Sequence, residues 1–232
     1  MSIEENVKRI QEQIAHAARE AGRNPSEIQL CVATKMNDAA AVRAAIAAGV
    51  SCCGENRVQE LTQKLSEHAY DGAPVHFIGH LQTNKVRQVV GRVALIQSID
   101  SIHLLDAVNA EAAKQGIRQD VLLEVNIGNE PSKSGFSENA LQSFFDEMPL
   151  YSNICIRGLM AIPPISENEG DNVKFFRKMS ELYVDIQEKK YDNVRVDCLS
   201  MGMSADFADA VRCGSTMVRV GTAIFGARRY TI

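Results

Sequence analysis

The sequence predicts an α/β protein, a single (β/α)₈ TIM barrel with an extra N-terminal helix. Three observations support this fold class. The chain has 232 residues, which matches the size of a one-domain barrel. About eight short apolar runs alternate with segments of helical periodicity, and the apolar runs are continuous rather than alternating. Parallel strands buried on both faces have this pattern, and strand–helix repetition requires parallel strands.

The extra helix comes first. Apolar residues recur at helical spacing at Ile3, Val7, Ile10 and Ile14, and Gly22 ends the segment. The predicted strands then span residues 28–34, 51–54, 75–79, 94–98, 120–126, 155–160, 195–199 and 216–220. The predicted helices span residues 38–48, 56–68, 82–90, 103–115, 137–147, 170–189 and 204–212.

A doubly wound open sheet is the alternative architecture. Its usual G-x-G-x-x-G at the first strand–helix turn is absent, because the first strand instead ends in Thr34-Lys35. No linker, low-complexity tract or shift in composition marks a second domain. We therefore expect one domain over residues 1–232.

Composition and charge restrict the partners and the location. The net charge of −4 comes from interspersed acids and bases, and no basic block follows a nucleic-acid backbone. The N-terminus has no signal-peptide pattern, and no apolar stretch reaches the roughly 18–20 residues of a membrane span. We expect a soluble cytoplasmic monomer that binds neither nucleic acid nor membrane. The six cysteines have no C-x-x-C spacing and are expected to be reduced core residues, with Cys52 and Cys53 facing opposite sides of a strand.

Lys35 is the first candidate for chemistry. It follows the apolar run CVAT at the end of the first predicted strand, and active sites of such barrels lie at the carboxyl ends of the strands. An apolar wall favours the neutral amine, which is the form that attacks an aldehyde. A surface lysine in a strand–helix loop is the alternative interpretation.

A phosphate pocket is predicted after the last two strands, where barrels of this class often hold phosphate. The segment after strand seven supplies Ser200, Met201 and Ser204, and a helix start there would add backbone donors. Alternatively, Ser204 only caps the following helix and Ser200 only ends the strand. Strand eight ends as Val218-Arg219-Val220-Gly221-Thr222, in which Gly221 permits close backbone approach, Thr222 offers a hydroxyl and Arg219 points into the barrel.

Two further segments bring polar residues to the same mouth. They are GENRVQE, with Asn56, and GHLQTNK, with His80 and Thr83. Helix capping by Asn56 and Thr83 is compatible with ligand contact as well. His76 and His80 have a metal-like interval, but a strand-to-turn placement separates them and no Cys or Asp cluster completes a site. No metal is therefore expected.

These segments together resemble the pyridoxal phosphate homeostasis proteins, also called the proline synthase co-transcribed family. The motifs occur in order along nearly the whole chain: VATK, GENRVQE, HFIGHLQTNK, SIDS, GLMAIPP, LSMGMSADF and VRVGTAIFG. The family usually has a proline soon after the lysine, where this chain has Met36-Asn37. We expect that difference to change the loop rather than the lysine chemistry.

The resemblance implies the ligand and the role of each site residue. It implies a fold-type III barrel, similar to the N-terminal domain of alanine racemase, that holds pyridoxal 5′-phosphate as a Schiff base on Lys35. Ser200, Ser204, Gly221 and Thr222 would surround the phosphate, Arg219 would face the pyridine nitrogen, and Asn56 and His80 would lie near the ring. Met201 is also expected to bind the cofactor. The implied function is non-catalytic binding in vitamin B6 homeostasis, with delivery to apo-enzymes. A racemase-like enzyme and a sugar-phosphate enzyme that uses Lys35 as an aldolase-type amine stay open as alternatives.

Overall fold

Eight parallel strands form a closed barrel, in which each strand pairs with its neighbours in chain order and the last pairs with the first. The computed structural model describes residues 1–146, 151–165, 168, 170–188 and 194–226. The strands are β1 (Gln29–Ala33), β2 (Cys52–Glu55), β3 (Val75–Phe77), β4 (Leu95–Ile99), β5 (Gln119–Val125), β6 (Ile154–Ala161), β7 (Val194–Ser200) and β8 (Met217–Val220). The barrel closes in register, with Cys31 of β1 opposite Arg219 of β8. The predicted barrel is confirmed.

Helices cover the outside of the barrel. They are α1 (Ile3–Glu20), α2 (Ala39–Ala47), α3 (Val58–Ser66), α4 (Ile102–Gln115), α5 (Glu138–Asp146), α6 (Val173–Glu188), α7 (Phe207–Arg212) and α8 (Thr222–Phe225). Short 3₁₀ helices span Pro25–Glu27 and Thr83–Gln88. Among the described residues, no helix combines the length and apolar character needed to cross a membrane.

The extra N-terminal helix is confirmed, and its sequence explains both its start and its packing. Ser2 accepts a hydrogen bond from the Glu5 amide while the Glu5 carboxylate accepts one from the Ser2 amide, which is a complete capping box. Val7, Ile10 and Ile14 are buried against the outer surface of β1 and β8 and against α7. The helix therefore covers the seam where the barrel closes.

The core has an inner and an outer part. The inner cluster fills the barrel and includes Cys31, Cys52, Leu122 and Met160, whereas the outer clusters lie between strands and helices. Cys52 belongs to the inner cluster and its neighbour Cys53 to an outer one. Successive side chains of a strand point to opposite faces, so the predicted orientation of this pair is confirmed.

Two predicted helices need correction, and one further helix was not predicted. Residues 82–90, predicted as a helix, form only the short 3₁₀ helix Thr83–Gln88, in which Val86 alone is buried. The helix predicted over 204–212 begins at Phe207, and α8 follows β8 where no helix was predicted. The apolar residues of the first segment, Val86, Val89 and Val90, are all β-branched and all lie in its second half, so its intrinsic helix propensity is low. Residues 147 and 189, predicted to end two helices, lie outside the described residues.

Candidate cofactor site

A cavity of about 470 Å³ opens at the carboxyl ends of β1 and β8. Ligand pockets of proteins commonly have volumes of about 300–1,000 Å³. The lining brings together five of the predicted site residues: Lys35, Ser204, Arg219, Gly221 and Thr222. The cavity thus lies on the face where sequence analysis placed the chemistry.

The backbone on both sides of Lys35 is held by helix α3. Lys64 donates a hydrogen bond from Nζ to the Thr34 carbonyl at 2.7 Å, and the Met36 amide donates to Glu60 Oε2 at 2.7 Å. Met36 has a positive φ of 61°, which is uncommon for a residue other than glycine. The half-buried Lys35 is therefore presented to the cavity from a constrained backbone.

A fully buried carboxylate organises that corner. Glu55 Oε2 accepts hydrogen bonds from Lys64 Nζ at 2.7 Å, from the Thr34 hydroxyl at 3.0 Å and from the Tyr70 hydroxyl at 3.1 Å. Its other oxygen accepts from the Asn56 amide at 2.9 Å. Thr34 follows β1 and Asn56 follows β2, while Lys64 lies on α3 and Tyr70 lies shortly after it. Because all four bind one carboxylate, the network holds the carboxyl ends of β1 and β2 together. The desolvation of Tyr70, reinforced by Glu55, raises the pKa of its phenol well above the usual range.

Backbone amides converge on one oxygen at the start of α8. The Gly221 and Ala223 amides each lie 3.4 Å from Ser204 Oγ, and Thr222 is exposed between them. A Cβ on Gly221 would lie 3.2 Å from the Ala33 carbonyl oxygen, so a glycine suits the close approach of β8 to β1 here. Hydroxyls and backbone N–H groups directed at one point form a typical phosphate-binding arrangement.

Arg219 lies in the barrel beneath that corner, with only 5% of its surface exposed. Nη1 donates to Ser200 Oγ at 2.6 Å, and Nη2 donates to the Ala161 carbonyl at 2.9 Å. Ser200 in turn donates to Gln97 Oε1 at 2.7 Å. Burial lowers the pKa of the Arg219 guanidinium, and Cys31 and Glu124 oppose that shift. The guanidinium therefore stands as a fixed cation at the cavity floor.

The other predicted site residues do not line this cavity. Ser200 is fully buried and its hydroxyl is committed to Gln97 and Arg219, and Met201 packs into the outer core. Asn56 is half-buried, and its Oδ1 has no hydrogen-bond partner among the described residues. His80 is exposed, and its Nδ1 lies 3.1 Å from Asp100 Oδ2. Contact of these four residues with a cofactor stays a prediction.

Capping does not explain Ser204, Asn56 or Thr83. Asp206 precedes the first residue of α7, Arg57 precedes that of α3, and Gln82 precedes the 3₁₀ helix. Ser204 instead turns towards α8. The polar residues of these loops are therefore available for roles other than helix capping.

The mouth also contains a carboxyl group that sequence analysis missed. Burial raises the pKa of Glu124 on β5 to about 7, the charge of Asp100 reinforces the shift, and Arg219 opposes it. Glu124 lies two positions after Leu122, which belongs to the cluster inside the barrel. Residues two apart on a strand share a face, so the spacing alone indicates that Glu124 also faces the interior. A carboxyl group that titrates near neutrality is one to test for acid–base function.

One sequence expectation about His76 is wrong. We expected no cysteine to accompany this histidine, but the sulfur atoms of Cys31 and Cys52 and a ring nitrogen of His76 lie within 4.8 Å of one another. The register of the strands causes this, since Cys31 pairs with Cys52 and the next strand places His76 beside them. Residues more than twenty positions apart along the chain thereby form one buried cluster.

Lys64 was also missed, although the sequence contained a signal. Val58, Leu61 and Lys64 share one face of α3 at helical spacing, and all three are buried. A lysine on an apolar stripe needs a buried partner, because an unpaired charge is costly in the interior. The partner itself, Glu55, could not be identified without the register of β1 and β2.

The comparisons with known proteins point to one family. Residues 3–229 match the family described as "Alanine racemase, N-terminal domain". A pyridoxal phosphate homeostasis protein of Aquifex aeolicus is 41% identical over 230 residues, covering 99% of this chain and 100% of the relative. One of Haemophilus influenzae is 37% identical over 233 residues, covering 100% of this chain and 98% of the relative. PipY of Synechococcus elongatus, solved with PLP bound, superposes with a TM-score of 0.79 at 32% identity, covering 92% of this chain and 100% of that one.

Fold and site together define the class, a barrel of the alanine racemase N-terminal type with a lysine at the end of its first strand. Within that class, the chain belongs to the family of pyridoxal phosphate homeostasis proteins.

Proposed function

We propose that this protein binds pyridoxal 5′-phosphate at the barrel mouth without catalysing a reaction, and serves intracellular vitamin B6 homeostasis. The observation that supports this most strongly is the cavity in which Lys35, Ser204 and Thr222 meet at the ends of β1 and β8. PipY, a relative over nearly the whole chain, was solved with PLP bound. When bound, the cofactor supplies an aldehyde that a lysine amine can hold covalently.

The described residues fit the parts of this cofactor. The Gly221 and Ala223 amides and the hydroxyls of Ser204 and Thr222 suit a phosphate group, because they offer only hydrogen-bond donors and neutral oxygens. Lys35 lines the same cavity and is the amine that would hold the aldehyde. The buried Asn56 Oδ1, which no described residue contacts by a hydrogen bond, suits a polar group at the ring edge.

Arg219 is proposed to face the pyridine nitrogen. A guanidinium is permanently charged and has no acceptor, so it disfavours protonation of that nitrogen. An unprotonated ring withdraws electrons less strongly and discourages carbanion chemistry. Ser200 contributes to this placement by accepting the hydrogen bond from Nη1 of the guanidinium. This arrangement favours storage over reaction.

The racemase-like alternative requires a second acid–base group across the cofactor from Lys35. Three tyrosines are accounted for: Tyr70, Tyr151 and Tyr183 direct their hydroxyls to Glu55, Asp106 and the Val196 carbonyl, away from the cavity lining. Tyr191 and Tyr230 lie outside the described residues. His80 and Glu124 do not line the cavity either. We propose that no side chain returns a proton to the second face.

The test separates binding from catalysis. Purified protein that is loaded with pyridoxal phosphate is incubated with each L-amino acid in deuterated water, and NMR follows both deuterium at Cα and the D-enantiomer. We expect a yellow protein with no sustained exchange. Turnover that disappears in Lys35→Ala would overturn the non-catalytic proposal, and a colourless protein that forms an adduct with a sugar phosphate would favour the aldolase-type alternative.

We further propose that the protein acts as a cytoplasmic monomer, with the whole chain as one barrel domain, and passes the cofactor to apo-enzymes. Mixing the loaded protein with an apo-aminotransferase measures this transfer. Reactivation of the apo-aminotransferase should be faster with the loaded protein than with free cofactor alone, supplied at the concentration that the loaded protein releases on the same dilution. Equal rates at every concentration would mean that the cofactor passes only through solution.

A further inference from the structure

A second polar site lies in the barrel interior, below Arg219 and away from the cavity that holds Lys35. It consists of Cys31, Cys52 and His76, all buried, on three neighbouring strands. Cys52 Sγ lies 3.5 Å from His76 Nδ1. None of the three residues lines the upper cavity.

We propose that Cys31, Cys52 and His76 form a binding site for one Zn²⁺ ion. Two thiolates and a neutral imidazole are zinc ligands, and three protein ligands leave a fourth position for water. With Zn–S bonds of about 2.3 Å and Zn–N bonds of about 2.0 Å, a tetrahedral angle separates sulfur and nitrogen by about 3.5 Å. That value equals the observed distance from Cys52 Sγ to His76 Nδ1.

Charge and proton balance are compatible with this interior. Binding of Zn²⁺ replaces the protons of the two thiols, which leave for solvent, so the complex of one dication and two thiolates is neutral. A neutral complex avoids the cost of a buried net charge. A Cβ on Gly54 would lie 2.9 Å from Cys31 Sγ, so the missing side chain leaves space at the sulfur.

Hydrogen bonds fix the histidine in the form that binds a metal. Ser200 donates to Gln97 Oε1, so the amide nitrogen of Gln97 is the atom that faces His76 Nδ1, at 3.0 Å. Nδ1 therefore accepts, and its lone pair is free of a proton. Zinc would take the place of this donor, and the Gln97 amide keeps its other contact, with Met217 Sδ at 3.1 Å.

A cavity of about 550 Å³ supplies the route from solvent. It opens at the amino ends of the strands, opposite the cofactor cavity, and Cys52 and His76 form part of its lining. Three carboxylates and one guanidinium line the same cavity: Glu27, Asp120, Asp197 and Arg157. Arg157 pairs with both Asp120 and Asp197, and Arg195 also pairs with Asp197. The lining still has more acids than bases, which attracts cations, and the cavity has room for the water at the fourth position.

Metal analysis of the full-length, cofactor-loaded protein under reducing conditions tests the proposal. After incubation with zinc sulfate and dialysis, we expect one zinc ion per chain. Cys52→Ser and His76→Gln should weaken retention by about 100-fold or more, since each removes a ligand and not merely a supporting contact. Cys213→Ser is the matched control, because Cys213 is a half-buried thiol at the end of α7, and should retain zinc fully.

Two further measurements separate loss of a zinc ligand from misfolding of a variant and from an effect of the cofactor. Cobalt(II) added to the wild-type protein should give thiolate-to-metal charge-transfer absorbance, which does not depend on any variant folding. Lys35→Ala should keep the zinc, because the site does not involve the cofactor. Absence of zinc from the wild-type protein, equal retention by Cys52→Ser, or loss of zinc in Lys35→Ala would each overturn the proposal.

Discussion

Replacing Lys64 by methionine tests the network that fixes the ends of β1 and β2. The substitution keeps an unbranched side chain that is one heavy atom shorter, and it removes the charge. The Glu55 carboxylate is fully buried, and it would keep only the neutral donors of Thr34, Tyr70 and Asn56. Removal of one partner from a buried ion pair typically costs about 3–5 kcal/mol, because the remaining charge is uncompensated.

This cost converts into a shift of the melting temperature. Unfolding entropies of about 2.1 cal/mol/K per residue give roughly 0.5 kcal/mol/K for a chain of 232 residues. The expected decrease in Tm for Lys64→Met is therefore about 6–10 °C. Circular dichroism during heating measures it. Retention of the cofactor should also decrease, because Lys64 holds the carbonyl that precedes Lys35.

Two control variants make the reasoning refutable. Lys8 forms an exposed pair with Glu4 at 2.9 Å, so Lys8→Met should leave Tm unchanged. The double variant Glu55→Gln, Lys64→Met should be more stable than Lys64→Met alone, because no buried charge is left unpaired. Equal Tm values for Lys64→Met and Lys8→Met would contradict the role assigned to the network.

Three further predictions concern the mouth and the barrel interior. The raised pKa of Glu124 means that its ionisation opposes folding, so stability is lost as pH rises from about 4.5 to about 7. In the cofactor-free protein, Glu124→Gln should therefore raise Tm at pH 8 but not at pH 4. Ser204→Ala with Thr222→Ala should weaken pyridoxal phosphate binding by about 2–4 kcal/mol in a spectral titration, and leave the weaker binding of pyridoxal unchanged. Gln97→Leu should lower the free energy of unfolding in urea by about 1–3 kcal/mol, because the buried Ser200 hydroxyl loses its acceptor, whereas Gln115→Leu, at an exposed position, should not.

The fold was predictable because parallel strands have a strong local signature. The run Ile28 to Thr34 contains β1, and the run Asp120 to Asn126 matches β5 with each boundary shifted by one residue. Continuous apolar stretches and intervening helical spacing are properties of the chain alone. The boundaries of α7 were not predictable, because Ser204 turns towards the amides of α8.

The site was predictable only in part. The strand-end position of Lys35 and the polar ends of β7 and β8 placed the cavity, since strand ends of a barrel share one face. Sequence spacing could not show that Ser200 points beneath the cavity to Arg219. The Glu55 network and the cluster around His76 depend on the register between neighbouring strands, which the sequence does not reveal locally.

Lys35 is the residue that we propose holds the cofactor. Borohydride reduction of the protein with bound pyridoxal phosphate, followed by proteolysis and mass spectrometry, locates the covalent label. We predict the label on Lys35, one per chain, and none on Lys133, in the connection between β5 and α5, or on Lys85, in the 3₁₀ helix after β3. Lys35→Ala should fold with an unchanged Tm and take up no label. A label that stays at full stoichiometry in Lys35→Ala, or that lies wholly on another lysine, would contradict the account.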